Sequence, residues 1–277
     1  MFLPLQGGRI GGDVTHMIEM LKEMYKFRDL AAMLTLRDLR VRYKQAAMGF
    51  MWAIFMPIVA VFSGIIIKEA MSYVSHQPLD TKGIVSISVK VLPWTFFISS
   101  IRFAVQSLVG NSTLITKIYF PRAILVVSSI LACLFDLCVA MLVLAVLLVF
   151  LKVGVSIYLL WLPLLLLLLF LYTLGFGLIL SAANLFFRDI KYVVEILLMF
   201  GIFFTPVFYS ADSFGKWKSL MLLNPLGSII EEIDKVVVLH QMPDMLWINY
   251  AIVTSIAIFI IGMAVFHKTE PYFSESI

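Results

Sequence analysis

Long apolar runs, each free of charge, alternate with short polar links along this chain. Residues 48–67 hold 20 consecutive positions without a charged side chain, residues 153–187 hold 35, and residues 246–266 hold 21. A helix rises about 1.5 Å per residue, so about 20 apolar residues cross the hydrocarbon core of a bilayer. The pattern predicts six transmembrane helices, over about 48–67, 91–109, 123–151, 158–185, 192–211 and 246–266. The expected fold class is all-α, a polytopic membrane protein. Gly49, Pro57 and Gly64 fall in or beside the first span, where neighbouring helices can satisfy the backbone groups they free.

Two segments break the pattern. Before residue 46, Val14, Ile18, Leu21 and Tyr25 recur at helical spacing. Further on, Leu36, Leu39 and Tyr43 share one helical face and Arg37, Arg40 and Lys44 another, with Asp38 one turn before Arg42. This predicts an amphipathic helix lying in the membrane interface, its basic side toward lipid phosphates and cytosol. The chain thus divides into an N-terminal interfacial region, 1–45, and a transmembrane domain, 46–277. The second segment, 220–239, is too polar for a lipid-facing span: it carries Glu231, Glu232, Asp234 and Lys235, and Asn224-Pro225 and Gly227 interrupt it. It is expected to form two short re-entrant helices packed against the bundle near a water-filled pathway.

Composition agrees with a membrane protein: 62% of residues are apolar and 14% charged, where a soluble domain carries about 25%. The net charge of +4 matters less than its placement. With both termini in the cytosol, 13 Lys and Arg fall on the cytosolic side and 7 on the other, as the positive-inside rule requires. The first 45 residues lack a compact apolar stretch, so no cleavable leader is expected. Cys133 and Cys138 sit five apart in one apolar run and read as small core residues, not as a redox or metal pair.

Catalytic patterns are missing. There is no G-x-x-x-x-G-K-[ST] to cradle a phosphate, no H-E-x-x-H, no D-x-D and no G-x-S-x-G. No enzyme activity, metal, cofactor or nucleic-acid partner is expected of this chain. Arg102, Asp136 and Glu195 are the charges inside predicted spans. Either Arg102 and Asp136 pair with each other or with backbone carbonyls, or such residues line a pathway. Aromatic residues are plentiful, among them Trp52, Phe55, Phe62, Phe200, Phe203, Phe204 and Phe208. The simpler account is an interfacial belt with ordinary core packing. The alternative is a translocation surface along which a glycan slides.

Six segments, in order, carry a resemblance. Residues 36–45 (LRDLRVRYKQ) precede Gly49 and Trp52-Ala53-Ile54. Leu92-Pro93-Trp94-Thr95-Phe96-Phe97 opens the second span, and residues 111–122 end in Lys117-Ile118-Tyr119-Phe120-Pro121-Arg122. Asn184 through Ile190, followed by Phe204-Thr205-Pro206-Val207-Phe208-Tyr209, comes next. Leu223-Asn224-Pro225-Leu226 and Glu270-Pro271-Tyr272-Phe273 complete the set. Together, over about residues 30–277, they resemble the permeases of ABC-2 exporters that move polysaccharides of the O-antigen and capsule type.

The resemblance implies a homodimer in the bacterial inner membrane with two separate ATPase subunits on its cytosolic face, which hold the ATP and magnesium. It implies a lipid-linked glycan as substrate. Asn111, Lys117, Tyr119, Phe120, Arg122 and Arg188 would contact the ATPase. Arg37, Arg40, Arg42 and Lys44 would lie on a gate helix, where the arginines either attract the pyrophosphate of the lipid anchor or only bind anionic headgroups of membrane lipids or set the topology. Teichoic acid or a small drug fits the same architecture, and a secondary transporter is the remaining alternative. The glycines at 7, 8, 11 and 12 have no counterpart in the family pattern, and Phe186-Phe187 stand where its second cytosolic turn is more basic.

Overall fold

The computed structural model describes residues 22–44, 49, 51–75, 81–118, 120–150 and 152–274. The paired glycines near the N-terminus, the apolar positions 14, 18 and 21, and Tyr119 lie outside these residues. Among the described residues every regular element is helical. Helix α1 covers Arg28–Lys44, α2 Met51–Ser75, α3 Thr81–Gly110, α4 Ser112–Lys117 and α5 Ala123–Phe150. A 3-10 turn, Ile157–Trp161, leads into α6, Leu162–Phe186, and α7 covers Ile190–Gly201. The short helices α8, Lys218–Leu222, and α9, Pro225–Asp234, precede α10, Met245–Thr269, and a closing 3-10 turn, Glu270–Ser274.

Among the described residues four helical stretches are long and apolar enough to cross a membrane: Gly83–Gly110, Ala123–Phe150, Ile157–Phe186 and Met245–Phe273. The chain is a multi-pass membrane protein. The polar stretch expected as a loop before residue 91 is largely helix. α2 runs on to Ser75 and α3 already begins at Thr81, because Lys90 finds its partners inside the protein and needs no loop.

The helix expected over 192–211 is not continuous. α7 has 12 residues, a length of about 18 Å against a hydrocarbon core of about 30 Å. It gives way to a 3-10 turn, Ile202–Phe204, and Thr205 is extended (φ −118°, ψ 130°). Pro206 explains the break, since a residue before proline is pushed out of the helical region.

Helix α3 is the hub of the bundle and packs against α2, α5, α6, α7 and α9. α10 lies along α6, and two glycines let their backbones meet. A Cβ on Gly175 would stand 2.6 Å from the Ile258 carbonyl, and one on Gly262 would strike the Gly175 backbone. Small residues at such a crossing are the usual means by which membrane helices approach closely. α9 is capped by Asn224, whose side chain accepts from Leu226 N (3.2 Å), with Pro225 at its first position. Every residue of α9 from Leu226 to Asp234 is buried, against α3, α6 and α10. Cys133 is buried as expected, but Cys138 is exposed on the outer face of α5.

Candidate functional site

α1 lies across α5. Leu34 is buried there, whereas Met33, Leu36 and Val41 are exposed. Leu30 and Ala31 pack on the core beside Leu34, and the last turn of the helix is held by charge. Arg42 forms an ion pair with Asp136 of α5 through Nη1 and Oδ2, and Tyr43 Oη donates to Asp136 Oδ1 (2.6 Å). Burial, followed by that hydrogen bond to the carboxylate, pushes the Tyr43 phenol above its ordinary range. Asp136 therefore pairs with Arg42 and not with Arg102, which is exposed on α3. Asp38, one turn before Arg42, binds its neighbour Arg37 instead (2.8 Å). Glu195 is exposed on α7.

Arg37 also joins two regions that the sequence only suggests separately. Its Nη2 donates to Asn111 Oδ1 (3.0 Å), and Asn111 Nδ2 donates to the Ser107 carbonyl (2.8 Å). The start of the segment 111–122 is thereby tied to α1. Arg40 and Lys44 remain exposed, and with Met33, Leu36, Arg37 and Val41 they line a shallow basic and apolar depression.

The far end of the segment 111–122 is fixed to the C-terminal turn. Arg122 N donates to Glu270 Oε1 (3.0 Å), Arg122 Nη1 donates to the Glu270 carbonyl (2.5 Å), and its guanidinium lies 5.7 Å from the centre of the Phe273 ring. Phe273 also meets Phe186, with ring centres 5.9 Å apart. Arg122 and the turn at 186–189 thus share one end of the bundle. On that end Lys117, Ile118, Phe187 and Arg188 are exposed, while Phe120 is buried. Asn184 braces the turn: it donates to the Val105 carbonyl (2.9 Å) and accepts from Lys191 N (3.2 Å).

The aromatic candidates divide into two uncovered faces and one packed residue. On α2, Phe55, Ile58, Val59, Phe62 and Ile66 form an exposed stripe, with Trp52 edge-on to Phe55 (5.7 Å). On α7 and the turn after it, Phe200, Phe203 and Phe204 are 54%, 67% and 68% exposed. Phe208 instead packs into the core.

A further charged group escaped the sequence reading altogether. Lys90, just before the second predicted span, is 1% exposed and reaches Glu231 (2.7 Å) and Asp234 (3.5 Å) of α9. The four acidic and basic residues of 231–235 signalled polarity, but nothing near them in sequence names Lys90 as their partner, 141 positions away from Glu231. Among the described residues no group of three or more His, Cys, Asp or Glu is placed to hold a metal ion.

Comparison with known proteins gives a consistent picture. Residues 30–237 match the family described as ABC-2 type transporter. The O-antigen export system permease protein RfbA of Klebsiella pneumoniae is 29% identical over 253 residues, which is 89% of this chain and 94% of that protein. The protein of the same name from Myxococcus xanthus is 27% identical over 268 residues, 94% of this chain and all of that protein.

Proposed function

The chain belongs to the ABC-2 type transporter family, and from that premise we propose that it is the permease of an ATP-driven exporter that moves a lipid-linked polysaccharide, of the O-antigen or capsule type, across the bacterial inner membrane. One observation carries the substrate class: the similarity to O-antigen export permeases of two genera runs over nearly the whole of this chain. The chain itself is not an enzyme in this reading. ATP and magnesium are held by two separate ATPase subunits, and both termini lie in the cytosol.

The working unit is a homodimer of six-span protomers. α2 and α7, with the chain that follows α7, supply the two spans beyond the four that are long and apolar by themselves. Their uncovered aromatic faces, around Phe55 and Phe62 and around Phe200 to Phe204, support a second copy across the path and a channel between the copies. Re-entrant placement of α8 and α9 at the exit side fits their position between the last two spans.

ATP binding closes the ATPase subunits against Lys117 and Arg188. The Asn111–Arg37 hydrogen bond passes that movement to α1, and α2 and α7 of the two copies part. A glycan pyrophosphate meets Arg40 and Lys44, with Arg37 beside them, since Arg42 is committed to Asp136. Membrane lipid headgroups are the competing ligand of the same surface.

A pull-down of the tagged protein in mild detergent, followed by mass spectrometry and an ATPase assay, tests the reading. A stoichiometric ATP-hydrolysing subunit is expected. Recovery of the chain alone, inactive in several detergents, points instead to a secondary transporter.

A further inference from the structure

The group at Lys90 buries two carboxylates against one ammonium. Lys90, Glu231 and Asp234 are 1%, 3% and 5% exposed. An uncompensated charge in such a place is costly, and buried ionisable groups are relieved of it by a partner or by a proton.

The hydrogen bonds say which carboxylate is uncompensated. Glu231 Oε2 accepts from Lys90 (2.7 Å), and its Oε1 accepts from Ser210 Oγ (3.0 Å) and Ala211 N (3.2 Å). Three donors satisfy the two oxygens of Glu231. Lys90 spends a second proton on the Tyr209 carbonyl (3.2 Å). Asp234 has less: Oδ2 accepts from Ser86 Oγ (2.7 Å) and stands 3.5 Å from Lys90 Nζ. Its Oδ1 is buried and has no partner among the described residues.

Among the described residues the surrounding elements offer no second cation, and Arg102 of α3 is exposed. Lys235 is bound to Glu232 (2.6 Å), whose other oxygen accepts from Asp244 N at the start of α10 (2.8 Å). Lys218 is bound to Asp212 (2.6 Å), and the Tyr209 hydroxyl donates to the Phe203 carbonyl (2.9 Å). On α10, the Tyr250 hydroxyl donates to the Leu223 carbonyl (2.6 Å), and His267 and Lys268 lie in its last turn. α6 carries no charged residue and Tyr172 as its single titratable one.

We propose that this cluster is a proton-binding site: one proton resides on Asp234 Oδ1, and the three side chains dock α9 on α3 as a neutral set. Burial also pushes the Asp234 carboxyl above the usual carboxylate range, against the pull of Lys90. Because the folded-state value is raised, the docking is complete at low pH and is lost as pH rises through that value. The inference stands whether or not the substrate is a glycan.

The test is a pH titration of the full-length protein by difference infrared spectroscopy, with hydrogen exchange read over residues 225–234. Wild type is expected to show a carboxylic acid C=O band that bleaches as pH rises, with faster exchange in α9 over the same range. Asp234→Asn, the neutral isostere, lacks the band and keeps α9 protected at all pH. Glu231→Gln leaves Lys90 to Asp234 alone, so the band titrates about one pH unit or more lower. Should Asp234→Asn not fold, that shift decides by itself. Absence of a titrating band in wild type, its persistence in Asp234→Asn, or an unmoved midpoint in Glu231→Gln each overturns the proposal.

Discussion

Arg42 and Asp136, 94 positions apart, form an ion pair that fixes the last turn of α1 to the middle of α5. Tyr43 adds a second bond to the same carboxylate, and Phe103 lies 4.1 Å under the guanidinium. An acidic residue in an apolar helix is thus satisfied from outside that helix, by the segment that precedes the first span.

Removing either charge leaves the other half-buried and unpaired. Asp136→Asn and Arg42→Gln are each expected to weaken the docking of α1 by about 1 to 3 kcal/mol. Hydrogen exchange over residues 28–44 should then rise about tenfold or more, while α5 to α10 keep their protection. The exchanged pair, Arg42→Asp with Asp136→Arg, should recover part of the loss. Unchanged exchange in α1 in both single variants means that the ion pair does not hold the helix.

Lys117 and Arg122 look alike in sequence, and the structure separates them. Lys117 is exposed at the end of α4, whereas Arg122 ties the chain to Glu270 and Phe273. Lys117→Glu is expected to leave the melting temperature unchanged and to lower transport-coupled ATP hydrolysis severalfold. Arg122→Glu places a carboxylate against Glu270 and should lower the melting temperature as well. Normal coupling in folded Lys117→Glu removes this residue from the ATPase contact.

The apolar runs made the long helices legible, since a span must be apolar along its whole length. They located α5, α6 and α10 within a few residues. They misjudged α7, because apolar composition continues through residue 204 while Pro206 and extended Thr205 stop the helix. Charge was the harder matter. Arg42, Asp136 and Lys90 were each visible, but their partners were not, because ion pairs between helices leave no periodic trace in one sequence.

The crossing of α6 and α10 depends on the absence of two side chains. Gly262→Ala and Gly175→Ala each force a methyl group into the facing backbone, which cannot rotate away. Overpacking of this kind costs about 1 to 3 kcal/mol, and a lowered melting temperature in both variants checks it. Gly110, around which the structure leaves open space, is the control: Gly110→Ala should be neutral or slightly stabilising. Equal stability of all three variants means that the helices slide apart without loss.

Exposed aromatic residues on a membrane protein face lipid, a second copy or a path, and stability does not distinguish these. Phe200, Phe203 and Phe204 leave more than half of their surface uncovered in the single chain, so Ala at each forfeits less packing within it than Ala at a core position. Trp94 and Phe96, at 3% and 4% exposure, are the internal reference for what loss of packing looks like. If the face of α7 lines the path, Phe200→Ala and Phe203→Ala slow export severalfold with an unchanged melting temperature in detergent. If it seals two copies together, the same variants shift the protein toward monomer in a detergent-corrected mass measurement. A face that only meets lipid tails responds in neither assay. Phe96→Ala should lower the melting temperature whichever face is functional, which separates a path or contact residue from a core one.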